Sequence, residues 1–523
     1  MLMVLVSGVL GLIRWRVLNA WFSPEDTGIF LAAFRIPNLL FDLLAAGALT
    51  SAFIPVFTRF LMENRQADAH KMASAVINLT ILLLTIIAVP VLIFTSQISA
   101  VLAPGFSPDQ IERMAFFTRI MIVFQVVPLL IGNFFTGILQ SYNLFIIPAI
   151  APIVYNLGMI MGIVAFAGTF GLLAPVIGVG IGAIFFLLIQ VPLIVQTGYT
   201  HIFTLSRRIE GVAEVGKLMA PRLVGLAISQ VDITVDLMLS TLLGSKMVTV
   251  FYFAQSLQQL PVRLFGTTVA QAALPTLSAT WAQKNEDEFR KSLLKAIHMI
   301  VFFVLPVSVL FMVLRIPIVR LLYGAARFDW EATVLTGVTL SLFSLSLCAQ
   351  AISNVLIRAF YALYNSKTPV IVSSISVGVN SILSLIFILE LRLPIWSLGL
   401  STSIASFINM GIMIILLRKS IGGFGGSLFV PIAKMLFAAA ITGVMLYIPL
   451  KLLDQLVFDT TRTFGLILLT GITGSIGLST YIFISWVLGV GEVSSFFRLL
   501  RKVKQVRSIL LEPADEVTGT DLH

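Results

Sequence analysis

Apolar stretches of about twenty residues recur along the whole chain, and no other feature limits its fold so tightly. A helix of that length is what crosses the hydrocarbon core of a bilayer. Hydrophobic residues make up 58% of the 523 positions and charged residues 11%, with a mean hydropathy of +1.03. A soluble chain carries roughly 25% charged residues, so this one lacks the polar surface that several water-soluble domains would need. In lipid the backbone has no water to bond, which leaves helices or a closed barrel. Barrel strands alternate in polarity over about ten residues, and these runs do not alternate. The expected fold class is therefore an all-α integral membrane protein with about fourteen spans. They are read near 2–22, 28–58, 72–102, 114–140, 145–168, 172–198, 217–243, 248–281, 292–322, 332–362, 368–390, 395–417, 429–453 and 464–490.

The net charge of +10 does not form a nucleic-acid patch, because the basic residues lie between apolar runs. One alternating set of connections is rich in them: Arg59, Arg65 and Lys71; Arg207, Arg208 and Lys217; Lys284, Arg290, Lys291 and Lys295; Lys367; Arg418 and Lys419. The opposite set is poorer, so the positive-inside rule places both termini in the cytoplasm. The start, Met1-Leu2-Met3-Val4, has no basic region ahead of its apolar run and reads as a span rather than a cleaved signal. The single cysteine, Cys348, lies in an apolar run and reads as a packed thiol.

The chain repeats itself. Pro37 and Pro261 stand 224 residues apart in similar settings, and Tyr142-Asn143, Pro148 and Asn156 are echoed by Tyr364-Asn365, Pro369 and Asn380. Each unit holds six spans, so two parallel lobes are expected around a cavity, with two further C-terminal helices, a common transporter plan. The expected division is an N-terminal lobe over 1–200, a cytoplasmic linker over 201–216, a second lobe over 217–420, the last two spans over 421–490 and a cytoplasmic tail over 491–523. Gly178, Gly180 and Gly182 sit in an apolar run without a strand before them, and read as a helix-packing surface rather than a dinucleotide loop.

Ionisable groups inside spans are costly unless they pair, snorkel or face water. Arg14 and Arg16 fall in span one, Arg35 and Asp42 in span two, Arg119 in span four, Arg222, Asp232 and Asp236 in span seven, and Arg263 in span eight. The first two spans of each repeat hold most of them. Arg14, Arg35, Arg222 and Arg263 thus become candidate lining of a cationic cavity, and the planar guanidinium fork suits phosphate. Snorkelling to the interface is the alternative for Arg16, Arg119 and Arg222. Asp232 and Asp236 share a helical face and either pair with the arginines or bind a cation. Neither a Walker A motif nor a metal-ligand spacing is present, and no base is positioned for a nucleophile, so no enzymatic activity is expected.

Three segments carry a family resemblance. Phe34-Arg35-Ile36-Pro37-Asn38-Leu39-Leu40 with Ala46-Gly47-Ala48-Leu49-Thr50-Ser51-Ala52-Phe53-Ile54-Pro55-Val56 resembles the span-two signature of the MurJ/MviN lipid II flippases. Ala103-Pro104-Gly105-Phe106, and Asn143-Leu144-Phe145 through Pro148-Ala149-Ile150-Ala151-Pro152, are similar to further family segments, as is Lys367-Thr368-Pro369. The resemblance covers the whole chain and implies a two-lobed transporter related to MATE exporters and polysaccharide flippases. It implies a cationic central cavity, and a groove beside the last two spans for a polyprenyl tail. One span-one arginine of the family matches Arg14; the others fall on Gly8, on Phe41 beside Asp42, and on Ser256, and the family's span-two acid falls on Ala46. Arg263, seven residues after Ser256 on about the same helical face, is a candidate substitute. The resemblance further implies a Na⁺ site, with Asp236 and Asn380 matching ligands, Ser384 in place of a carboxylate, and the Leu398 carbonyl and Thr402 completing it. Pairing of Asp236 with an arginine is the competing reading.

The function expected is translocation of a polyprenyl-pyrophosphate-linked peptidoglycan precursor, lipid II, across the bacterial cytoplasmic membrane by alternating access. The protein is expected to be monomeric, in contact with membrane lipids, and to bind no nucleic acid. The alternatives are an exporter of another substrate, MATE-like or polysaccharide-type, and a non-transporting scaffold. The topology is testable first: a cysteine introduced at Glu25 should react with an impermeant thiol reagent in intact cells, and one at Arg290 should not. Labelling at 290 from outside reverses the orientation.

Overall fold

The computed structural model describes residues 2–46, 52–423, 429–458 and 462–494. Part of the span-two signature, and the expected tail from 495 onward, lie outside the described residues. Helices account for nearly all of the rest, and no strand occurs among the described residues.

Ten helices among the described residues are long and apolar enough to cross a membrane, or eleven when Trp330–Leu345 and Leu347–Ala362, bent by 44° at their junction, count as one span. These coincide with eleven of the fourteen expected ranges. The other three expected ranges are helical too, on Leu2–Trp21, Val212–Leu242, and Ser245–Pro261 continuing through Thr268–Ala282. They are the spans to which the sequence assigns Arg14, Arg16, Arg222, Asp232, Asp236 and Arg263.

Helix ends follow local chemistry. Ser23 accepts from the Asp26 N–H ahead of Pro24–Ala33, and Ser107 and Gln110 form a reciprocal capping box ahead of Pro108–Met121. Wider π turns interrupt the helices at Asp42–Ala46, Ile122–Val126, Val262–Thr267 and Ile386–Glu390. Such bulges redirect side chains and often sit at functional places.

The chain divides into two compact units that are discontinuous in sequence. One comprises 1–258, 315–346 and 370–409; the other comprises 259–314, 347–369 and 410–523. Within the first unit, Ile146–Phe170 packs against Leu173–Leu188 and against Leu2–Trp21. The expected glycine surface is what brings the first pair together: a methyl on Gly162 would stand 2.2 Å from the Gly178 Cα, and one on Gly158 2.6 Å from the Gly182 Cα. Lipid gives helices no hydrophobic reason to associate, so this close backbone approach supplies the van der Waals contact instead. The seam fixes the helix that carries Asn156.

This packing is open to a direct test. Gly162→Ala places its methyl against backbone and should lower the unfolding midpoint of the detergent-solubilised protein by several degrees, an overpacking cost of about 1–3 kcal/mol. Gly168→Ala, on the same helix with nothing within 4 Å, should leave the midpoint unchanged. Equal midpoints for the two variants would remove the seam from the account.

Candidate functional site

Leu2–Trp21 brings Arg14 against Ile146–Phe170. Arg14 Nη1 donates to Asn156 Oδ1 at 3.0 Å and meets the Met159 sulfur at 3.1 Å. Its guanidinium carbon lies 4.2 Å from the centroid of the Trp15 ring, a cation–π contact. Trp15 meets Tyr252 edge-on at 5.5 Å and Phe253 at 5.6 Å, and Phe253 stacks on Tyr323 at 4.1 Å. Ser256, where the resemblance implies a family arginine, bonds the Tyr323 hydroxyl at 2.9 Å. Arg14 Nε is buried with no partner, and Arg14 forms no ion pair among the described residues. A guanidinium is thus held among aromatic rings and one amide, without a neutralising acid.

Arg35 is placed differently. It is 8% exposed, and Val212–Leu242 engages one edge of its fork: Nη2 donates to the Gln230 carbonyl at 2.8 Å and to Thr234 Oγ1 at 2.7 Å, with Nε on the same hydroxyl at 3.2 Å. The same Gln230 donates its amide to Asp42 at 3.2 Å. The expectation of an open cavity arginine meets a side chain whose fork is already occupied by neutral acceptors. Arg263 belongs to the second unit, is exposed on the Val262–Thr267 π turn and donates to Gln259 Oε1 at 2.7 Å. Arg222 lies on Val212–Leu242, with its side chain outside the description. Arg16 donates to the Leu321 carbonyl, and Arg119 to the Leu92 carbonyl and Ser96. The four candidate arginines therefore have separate environments.

The five residues proposed for Na⁺ gather in the first unit. Asp236, Asn380, Ser384 and Leu398 are each at most 3% exposed. Ser384 Oγ lies 3.5 Å from Asp236 Oδ1 and 2.7 Å from Ser401 Oγ; Ser401 and Thr402 both donate to the Leu398 carbonyl at 2.9 Å. Asn380 Nδ2 donates to Asp232 Oδ1 at 2.8 Å, and Asn380 also hydrogen-bonds Asp236. The Asn380 Oδ1 is buried with no partner. Asp236 bonds Ser384 and Asn380 here, and no arginine forms an ion pair with it among the described residues. Two carboxylates, hydroxyl oxygens and an orphaned amide oxygen are the donor chemistry that a hard monovalent cation takes. A transition-metal site is a different matter, since no group of three or more His, Cys, Asp or Glu gathers among the described residues.

Sequence reasoning offered Asp232 to a cation beside Asp236 but left Ser401 outside the cation set, and Asn156, Trp15, Tyr252 and Tyr323 outside the arginine site. For Asn156 a signal was available in its repeat partner, Asn380. The aromatic residues offered none, since rings in apolar runs read as ordinary packing.

The fold and its buried charges define a multi-pass membrane protein of the transporter class. The family model for the lipid II flippase MurJ matches residues 21–463. Relatives described as probable lipid II flippase MurJ include those of Bdellovibrio bacteriovorus, 27% identical over 94% of this chain and 94% of its own length, and of Rhizobium meliloti, 27% identical over 96% and 95%. A solved lipid II flippase MurJ in an inward closed conformation superposes with a TM-score of 0.75, at 24% identity, over 95% of this chain and 98% of its own. An inward-facing multidrug-resistance MATE transporter of the MOP superfamily follows at 0.67 and 15%, over 80% and 94%. The chain belongs to the lipid II flippase MurJ family.

Proposed function

We propose that the protein moves lipid II from the cytoplasmic to the outer leaflet of the bacterial inner membrane by alternating access, with both termini in the cytoplasm. Family membership supports the substrate, and one observation carries the site: Arg14 is an inward-held guanidinium with no carboxylate partner among the described residues. A cation kept in a span without an acid awaits an anion, and a pyrophosphate linkage is one. The sugar-bearing headgroup needs a polar route while the polyprenyl tail stays in lipid. A transporter of organic cations would meet the wrong sign at Arg14.

One end of the first unit supplies the seal that alternating access requires. The helix Pro24–Ala33 runs so close to Ser245 that a methyl on Gly28 would stand 1.8 Å from its carbonyl oxygen. Thr249 donates to the Pro24 carbonyl at 2.6 Å, and Lys246 is held by Asp329 and by Glu331, the latter at 2.6 Å. Partial burial lowers the affinity of Lys246 for its proton, but bonds to the two acids outweigh it and hold the ammonium above its ordinary range. On our orientation this is the outer end, closed.

Purified protein in nanodiscs should bind lipid II and not a cationic dye. Arg14→Ala should abolish that binding, and Arg14→Lys should restore only part, because an ammonium lacks the bidentate fork. Preference for the dye, or full binding by Arg14→Ala, would overturn the assignment.

Asp236, Asn380, Ser384, Thr402 and the Leu398 carbonyl, joined by Asp232, form the Na⁺ site in this reading. A ligand at one hundred times its Kd stabilises a protein by about 2.7 kcal/mol. Replacing choline chloride by NaCl should therefore raise the unfolding midpoint by a few degrees in the wild type and leave Asp236→Asn unmoved. An equal rise in both excludes these ligands.

A further inference from the structure

The internal repeat relates two pairs of residues that the structure brings into contact. Asn380 follows Asn156 by 224 residues, and Asp236 follows Arg14 by 222. In the earlier pair Asn156 meets Arg14, and in the later pair Asn380 meets Asp232 and Asp236. The same amide thus faces the ionisable residues of the first helix of each repeat, with its oxygen turned to a cation in one case and its N–H to carboxylates in the other.

The surroundings of Asn156 determine which end of its amide faces Arg14. Its Nδ2 donates to the Pro152 carbonyl at 3.0 Å and lies 3.4 Å from both the carbonyl and the hydroxyl oxygen of Ser7. A flipped amide would set oxygen against the two carbonyls and N–H against the guanidinium, so the flip is excluded. Asn156 is 7% exposed. Ser7 and Arg14 lie two turns apart on Leu2–Trp21, so one amide grips that helix at both places and pins Arg14 by its Nη1 alone. The Nε and Nη2 atoms, the edge that grips an oxyanion with two parallel bonds, have no acceptor among the described residues.

We propose that Asn156 is a positioning residue for anion recognition: it holds Nη1 of Arg14 so that the Nε–Nη2 edge is kept for the pyrophosphate of the substrate. This rests on the lipid II reading above. It makes Asn156 matter through Arg14, not through the space it fills, and the two roles predict opposite orders of variants.

The test titrates lipid II, and separately inorganic pyrophosphate, against the wild type, Asn156→Ala and Asn156→Asp in nanodiscs, and repeats the series in an Arg14→Lys background. Asn156→Ala removes one bond to a charged donor and should weaken lipid II binding about tenfold. Asn156→Asp keeps size and acceptor but sets a carboxylate against the guanidinium, so it competes with the ligand and should bind more weakly than Ala. In the Arg14→Lys background the Ala substitution should change binding less than twofold, the non-additivity of residues that act together. A residue that only fills space gives the reverse order, with Asp near wild type and Ala worst, and the same loss in both backgrounds; either result overturns the proposal. Wild-type protein that binds neither ligand overturns the lipid II reading and this inference together. Normal wild-type binding with the reversed order overturns this inference alone.

Discussion

A polar side chain inside a membrane span has no water to turn to, and must find its partner on another helix. Much of the first unit is arranged around that requirement. Arg14 reaches Asn156, Arg35 reaches Gln230 and Thr234, and Asn380 reaches Asp232, in each case across more than a hundred residues of sequence. Serines and threonines left over bond the carbonyl one turn back, as Thr80, Ser141 and Thr339 do. Because lipid tails are as apolar as leucine, these bonds and the Gly158–Gly182 and Gly162–Gly178 contacts carry the association that burial would drive in water.

The helix Val212–Leu242 shows how the requirement keeps charges apart. Gln230 and Thr234 lie one turn apart and share a face, and so do Asp232 and Asp236. The two pairs are offset by two residues, about 200° around the helix. One face therefore takes Arg35 with a carbonyl and a hydroxyl, while the other presents carboxylates to Asn380 and Ser384. Arginine and aspartate, each at hand on neighbouring spans, do not neutralise one another here. The carboxylates accept from Asn380 and Ser384 instead, and Arg35 becomes a strut between helices.

The class of fold was legible because its signal is local. Twenty apolar residues specify a span wherever they occur, and a run of glycines two apart in such a span specifies close packing. Arg14 and Asp236 stood out for the same reason, as charges in the wrong solvent. What could not be read was the destination of each side chain. Nothing about Arg35 in its own segment distinguishes a guanidinium waiting for phosphate from one bonded to Thr234, since the deciding atoms are neutral and lie 199 residues away. The aromatic setting of Arg14 was hidden likewise, since Tyr252 and Tyr323 belong to helices that the sequence gives no reason to bring together. The helices Leu2–Trp21, Val212–Leu242 and Ser245–Pro261 carry several of the polar groups that meet partners on other helices, and those partners lie far away in sequence.

The positions at which the resemblance implies a family arginine hold other side chains in this chain. At Gly8 a side chain would meet nothing within 4 Å, so its loss leaves open space beside the helix. Phe41 packs on the cluster of Leu129, Ala151, Ala183 and Phe186, and Ser256 bonds Tyr323. Arg16 and Arg119 are bound to carbonyls, and the Nε–Nη2 edge of Arg35 is occupied. Arg14 differs from these in that its Nε is left without a partner among the described residues. The Trp15 ring meets the cation with its face, and Tyr252, Phe253 and Tyr323 pack on from Trp15 in turn. Several arginines would grip a phosphate by summed charge and tolerate some disorder in each. A single guanidinium grips only as well as it is aimed, because bidentate bonding fails when the fork rotates. The grip of Arg14 therefore depends on whatever fixes its fork, and the fixing atoms are the Asn156 amide and the Trp15 ring.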